Sequence, residues 1–262
     1  VGAILMRVTT KVRRQTKQGR FYDIDGVGNL PSVTTILQAV AKPALVNWSA
    51  RVERDLVCKV SADLYEDAPA DPKLTRAAWT LTLTNRLGKE KAHQKELATA
   101  GEIGSQTHAL IEWTLRKQLC AEPGPAPHVS DKAAYAFSVW QGWAQRTNLR
   151  PILIEQVVWS KTHGFAGTLD VLAEVDGKLT VLDWKTGKRC YAESHLQNAA
   201  YRRALREMGH SDPQQGLIVR LPKVEGDPDP EIVVAKDEHA CMDTFLAAKK
   251  VWEWSQEMEE EG

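Results

Sequence analysis

Hydrophobic and polar positions along the chain describe an α/β protein in which helices come first and strands follow. Residues 21–26 read as a strand entering a turn. Ser32 or Thr34 then caps a helix that continues to Val40. Pro43 restarts a helix through about Leu64, and a loop containing Pro69 and Pro72 follows. The helical period resumes over 73–119, with a break expected near Gly101 or Gly104. Pro123, Pro125 and Pro127 mark a linker, and Ser130-Asp131 starts another helix toward Thr147. Three strands come next, the first over 152–159. After them come a helix holding Gln197, strands over 217–221 and 231–235, and a last helix from Asp237. The pattern shows no internal repeat.

The strands after residue 165 carry the most specific geometry. Asp176-Gly177 is the sequence of a two-residue type I′ turn, so Val175 faces Lys178 and the register runs outward from there. In that register Asp170 lies opposite Asp183, and Lys185 lies opposite Thr168 on the same face as both acids. Leu169, Val171, Ala173 and Val175 share one face of the first strand, with Leu172 flanking Asp170 on the other. Facing like charges in a half-buried sheet are destabilising and are driven toward the neutral form, unless a cation compensates them. Carboxylate and water oxygens suit hard divalent cations such as magnesium or manganese, which keep open positions for phosphate. The plainer reading is a surface hairpin whose acids pair with lysines.

Composition narrows the class without deciding it. With 262 residues, 43% of them hydrophobic, the chain can bury a substantial core, so residues 1–262 are expected to form one domain. Within it, a helical elaboration covers 30–122, the sheet core 150–236 and a closing helix 237–258. The helical elaboration is expected to form a wall or arch over the hairpin. Formal net charge is zero, which obliges a nucleic-acid enzyme to separate its charges. Arg7, Lys11, Arg13, Arg14, Lys17 and Arg20 precede any acid, and Glu257, Glu259, Glu260 and Glu261 close the chain. Trp140, Trp143, Trp252 and Trp254 occupy helical patterns that suit core packing. The four cysteines, Cys58, Cys120, Cys190 and Cys241, form no Cys-x-x-Cys pair, so neither a zinc ribbon nor a disulfide framework is expected. No apolar run reaches transmembrane length, and no membrane partner is expected.

Asp170 followed by Asp183-x-Lys185 after a short hairpin resembles the core of the PD-(D/E)XK nuclease superfamily. The wider pattern resembles its RecB-type branch, in particular the mitochondrial genome maintenance exonuclease group and its phage relatives. Four further segments carry the likeness: Leu30-Pro31-Ser32-Val33-Thr34-Thr35-Ile36-Leu37, the helical run from Gly104 through His108 to Glu112, Glu155 on the strand before the hairpin, and Gln197-x-x-x-Tyr201 after it. The resemblance implies a restriction-endonuclease-like core, a central mixed sheet flanked by helices, with an N-terminal helical elaboration. It implies that Asp170, Asp183, Glu155 and His108 bind Mg2+ or Mn2+, and that Lys185 positions or polarises the attacking water. It also places Gln197 and Tyr201 against the site or the DNA, with Arg202, Arg203 and Arg206 available for backbone phosphates. Taken alone, Glu155 also reads as an exposed strand acid, His108 as a packed or solvated residue, and the Gln197 helix as an ordinary amphipathic helix. The cysteine spacing departs from the relatives that carry an iron–sulfur cluster, so no cluster is expected.

The function this implies is metal-dependent hydrolysis of phosphodiester bonds in DNA from single-stranded ends, in the cytoplasm of a bacterium or phage-infected host, with an organellar origin left open. Three other readings stay open: a structure-specific endonuclease or nickase of the same fold, a nucleic-acid-binding recombination accessory protein without turnover, and a nuclease acting on RNA. A helicase or recombinase partner is not identified by the sequence.

Overall fold

Strand β1 (Lys11–Thr16), β2 (Gly19–Ile24) and β3 (Gly28–Pro31) form an antiparallel three-stranded sheet, in which Tyr22, Ile24 and Leu30 are buried with Ala166. The computed structural model describes residues 11–16, 18–40, 42–67, 75–119, 122–210, 212–227 and 229–260. Ser32 ends β3 and caps α1 (Val33–Ile36), its hydroxyl accepting the Thr35 N–H at 2.9 Å, and a single 3₁₀ turn carries the helix to Ala39.

Two compact units emerge from the chain. One spans Ala41–Glu102 and contains α2 (Pro43–Asp67), α3 (Arg76–Leu87) and the start of α4 (Ala92–Gln118). The helical break expected near Gly101 or Gly104 is absent, since α4 runs through both. The interruption comes instead at Gly88, where φ of +70° ends α3. Gly104 has a different use: a Cβ there would lie 3.1 Å from Thr186 Oγ1, so the missing side chain lets helix and loop approach. The loop holding Pro69 and Pro72 lies outside the described residues.

The other unit comprises Val1–Val40 with Ile103–Gly262. It contains α5 (Asp131–Arg146), β4 (Arg150–Ser160), β5 (Phe165–Val175), β6 (Lys178–Lys185), α6 (Ala192–Glu207), β7 (Gln215–Arg220), β8 (Glu231–Val234) and α7 (Glu238–Glu260). The five strands lie in the order β4-β5-β6-β7-β8, antiparallel throughout except for the β6/β7 pair, which α6 connects. Helices cover both faces, the α/β layering expected of the chain. On one face α4 and α5 contribute Ile111, Leu115, Trp140 and Trp143 against Val171, Leu182, Trp184 and Val219. On the other, α1, α6 and α7 contribute Val33, Ala200, Leu205 and Phe245 against Leu172 and Val181.

The hairpin register is the one its turn dictates, with Asp176 and Gly177 at φ of +48° and +77° and rungs from Val175–Lys178 to Val171–Leu182. Beyond that rung the strands part. β6 continues on β7, while Ala166 of β5 bridges to Ser32 in parallel. The expected rung between Asp170 and Asp183 is therefore not formed. Its physical cause is the Asp170 side chain, whose Oδ2 accepts the Trp184 N–H at 2.8 Å and takes the place of a backbone acceptor.

A second correction follows along β5. Leu169 does not share a face with Val171, Ala173 and Val175; it joins Leu172 in the α6 layer. On β4, Ile154 and Val158 likewise fall in opposite layers although a strict period of two would put them together. The β4/β5 ladder has rungs at Ile154–Val171 and Gln156–Leu169 and none between them, where Glu155 faces Asp170. Glu155 has φ of +47°, a left-handed conformation that costs a non-glycine residue about 1 kcal/mol or more. The register is the same on both sides of this gap, its one shift falling at Pro151/Leu153, yet the side chains of both strands exchange layers here, and such irregularities re-aim side chains. Among the described residues no helix is long and apolar enough to cross a membrane.

Candidate metal centre

Where β4 and β5 exchange faces, Glu155 and Asp170 converge with His108 of α4. One ligand atom from each of the three lies within 4.8 Å of the others, and among the described residues this is the group that could hold a metal ion. Trp184 organises two of them through one residue's backbone. Its N–H goes to Asp170 Oδ2, and its carbonyl oxygen sits 3.1 Å from His108 Nε2. A carbonyl only accepts, so Nε2 donates in that contact, and Nδ1 is the ring nitrogen that faces Asp170 Oδ2, 3.7 Å away. This is how metal-binding imidazoles are usually oriented, with one nitrogen held by a carbonyl and the other free for the cation. The Trp184 backbone is itself fixed by its indole, which packs edge-on against Trp140 and Trp143 with centroids 6.0 and 5.6 Å apart.

Asp183 and Lys185 form the adjoining half of the site. The Asp183 side chain is 2% exposed, and the Lys185 ammonium reaches both its oxygens, hydrogen-bonding Oδ1 at 2.9 Å and standing 2.8 Å from Oδ2. The second contact lacks hydrogen-bond alignment, so Oδ2 is a buried acceptor with an ion-pair neighbour and no hydrogen bond. Burial pushes the Asp183 carboxyl up to about 6; the Lys185 ammonium opposes that rise and the Asp170 charge adds to it. Burial works against the charge on Lys185 too, but the Asp183 and Asp170 carboxylates outweigh it and hold the ammonium above the usual lysine range. An imidazole and two carboxylates converging on one point, beside a third carboxylate with an unused lone pair, fit a hard divalent cation.

Behind Lys185 stands a brace from α6. Gln197 Oε1 accepts from Lys185 Nζ at 3.1 Å, and Gln197 Nε2 donates to the Tyr201 hydroxyl at 3.2 Å. Tyr201 is buried, which raises its phenol above the ordinary tyrosine value. Its ring lies so close to β5 that a Cβ on Gly167 would come within 2.5 Å of Tyr201 Cε1, which explains glycine at that position. The structure turns Arg202 inward. It is 8% exposed, and its guanidinium bonds Glu238 at 2.8 Å and the Pro213 carbonyl at 3.2 Å. Its place on the helix explains this, since Asn198, one turn earlier, is fully buried. Arg203 is exposed and pairs with Glu207 at 3.1 Å, and Arg206 pairs with Asp212 and Glu238. The arginines expected to offer charge to phosphates are thus engaged with acids that tie α6 to its neighbours.

Other expectations fall differently. Glu112 is occupied by Arg116 at 2.7 Å, and Arg116 Nη2 donates to the Ile154 carbonyl at 3.4 Å, linking α4 to the residue before Glu155. Arg116 and Trp184 are the two contributors that sequence reasoning passed over; the position of Trp184 between Asp183 and Lys185 was the available signal. Trp254 is 61% exposed rather than in the core, while Trp140 and Trp143 are buried. Of the basic start, Arg14 is exposed and pairs with Asp23 at 3.1 Å; Arg7, Lys17 and the side chains of Lys11 and Arg13 lie outside the described residues. Cys58, Cys190 and Cys241 are free thiols, and Cys120 is outside the described residues.

The family model of the PD-(D/E)XK nuclease superfamily matches residues 76–261, a span that takes in every residue of the centre just described. No curated protein matches the chain.

Proposed function

The chain belongs to the PD-(D/E)XK nuclease superfamily, and from that premise we propose that it is a DNA exonuclease, hydrolysing phosphodiester bonds from single-stranded ends with Mg2+ or Mn2+. The observation that carries the metal-dependent part is the convergence of His108, Glu155 and Asp170 beside the Asp183–Lys185 pair. In this reading His108 Nδ1 and the carboxylates of Glu155 and Asp170 hold the cation, with Asp183 Oδ2 completing the set. The cation supplies Lewis-acid stabilisation of charge growing on the phosphate and makes water a better nucleophile at neutral pH. Lys185 keeps Asp183 ionised in a buried position, orients the attacking water and adds positive charge beside the phosphorus. Gln197 and Tyr201 hold that ammonium in place against the freedom of its four-carbon stem. DNA and a single-stranded end are supported by the resemblance carried by the Gly104-to-Glu112 and Gln197-x-x-x-Tyr201 segments. The free thiols of Cys58, Cys190 and Cys241 suit a reducing compartment such as the cytoplasm.

The test uses end-labelled linear single-stranded DNA, duplex DNA, RNA of the same sequence and a closed single-stranded circle, each with Mg2+, Mn2+ or EDTA. The linear DNA strand is expected to shorten from its ends with either metal, the circle to stay whole and EDTA to stop digestion. Cutting of the circle would replace the exonuclease reading with an internal cutter. Digestion of RNA but not DNA would overturn the substrate, and retention of the strand without cleavage under every metal would make the protein a binding accessory.

A further inference from the structure

The β6/β7 pair is the one parallel pair of the five-stranded sheet, so both strands end at the same edge, and that edge is where Asp183 and Lys185 lie. Lys185 and Arg220 form a rung, and the register is extended by one step through the Leu221 N–H, which donates to the Lys185 carbonyl at 2.7 Å. Lys188 follows Lys185 by three residues and Lys223 follows Arg220 by three. The two lysines thus follow neighbouring strand ends. A third comes from α5. Gly104 of α4 lies against Thr186, just past the end of β6, and two residues on Gln106 Oε1 accepts the Ser130 N–H and hydroxyl at 2.8 and 2.7 Å, which fixes the start of α5, with Lys132 in its first turn, to this stretch of α4.

The electrostatics set this group apart from the other basic residues. Burial lowers Lys223 below the usual lysine value, and the ammonium groups of Lys132 and Lys188 lower it further against the single opposing pull of Asp227. Lys132 and Lys188 are exposed and Lys223 is half-buried. On α6, by contrast, Arg202, Arg203 and Arg206 are each matched by a carboxylate. Cations gathered around one acid repel one another and destabilise the free protein; a polyanion relieves that repulsion on binding.

We propose that Lys132, Lys188 and Lys223 form a phosphate-binding track that carries the backbone of the nucleic-acid strand away from the metal centre. The inference rests on the nuclease reading and adds the surface on which the strand lies. Phosphate contacts of this kind position a strand without reading its sequence, so binding along the track is sequence-independent.

The experiment is binding of a fluorescent single-stranded 20-mer to the full chain with Ca2+ in place of Mg2+, over a range of KCl concentrations. Each lost contact removes about 0.7 from the slope of log affinity against log salt, so the triple variant K132Q/K188Q/K223Q should show a slope smaller by about 2. The exposed pair alone, K132Q/K188Q, should lose about 1.4 and guards against misfolding caused by the half-buried third site. Replacing all three by arginine should restore the parent slope, because charge rather than shape is at work. Slopes equal to the parent in both glutamine variants would overturn the track. If the parent digests DNA while the slopes stay equal, the nuclease reading survives the loss; if the parent neither binds nor digests, both fall.

Discussion

Asp170 offers the sharpest separation of stability from chemistry. Its Oδ2 is the acceptor for the Trp184 N–H at the point where β5 and β6 part, and its side chain is 12% exposed. Asp170→Ala leaves that N–H without its partner in a mostly closed site, a loss of about 1–3 kcal/mol, partly offset because one of two neighbouring acids is gone. Asp170→Asn keeps an amide oxygen in the same place and removes the same charge, so its stability should stay within about 1 kcal/mol of the parent. Both lose the carboxylate proposed to hold the cation, and both should lose at least about a thousandfold in cleavage rate, roughly 4 kcal/mol of transition-state stabilisation. Urea unfolding in EDTA gives the stability difference, and digestion of labelled single-stranded DNA gives the rate. Thermal unfolding with and without Mn2+ supplies a readout independent of turnover: a cation bound at a hundred times its Kd stabilises the parent by about 2.7 kcal/mol, and that gain should disappear in Asp170→Asn. Parent-like digestion by Asp170→Asn, or an undiminished Mn2+ shift, would refute the assignment of Asp170 to the metal. Equal destabilisation by Asn and Ala would refute the account of the Trp184 hydrogen bond.

Three further outcomes follow from the same geometry. Lys185→Met leaves Asp183 buried without its counter-charge and should cost about 3 kcal/mol, most of it recovered in the double variant Lys185→Met with Asp183→Asn; urea unfolding of the three proteins would show whether the double is as weak as the single. With chelator present, Asp183 holds its proton up to about 6 in the folded state against 3.8 ordinarily, so the native state binds more protons in that window. Stability should therefore fall as pH rises from about 4 to about 6, and Asp183→Asn should flatten that decline in urea unfolding measured across the range. Gly167→Ala places a methyl 2.5 Å from Tyr201 Cε1 and should cost about 1–3 kcal/mol in unfolding experiments while slowing digestion, because the ring that must move also holds Gln197 against Lys185; an unchanged melting temperature would show that the ring yields freely.

Much of this molecule is readable from local pattern. Asp176-Gly177 demands positive φ at two successive residues and therefore a particular hairpin register, while Ser32 marks a helix start because its hydroxyl can satisfy a free N–H. The alternation of strands and helices after residue 150 leads to a covered mixed sheet. Gln197 and Tyr201 share a helix face by spacing alone, and the structure joins them by a hydrogen bond.

Periodicity holds only while a strand or helix stays regular, and the candidate centre lies where regularity fails. Leu169 changed layers because both strands exchange faces at Glu155 and Asp170, a conformation that Glu155 does not favour and that no short-range signal announces. Arg202 and Trp254 were misplaced because a single sequence does not say how widely a helix is covered by its neighbours. The chain by itself therefore determined the turn, its register, the residue types able to hold a cation and the helix faces on which they stand. The tertiary structure decided that His108, Glu155 and Asp170 meet and that Lys185 goes to Asp183. Those distances join residues far apart in sequence, so they depend on how the layers pack and where the sheet opens rather than on the preferences of any one segment.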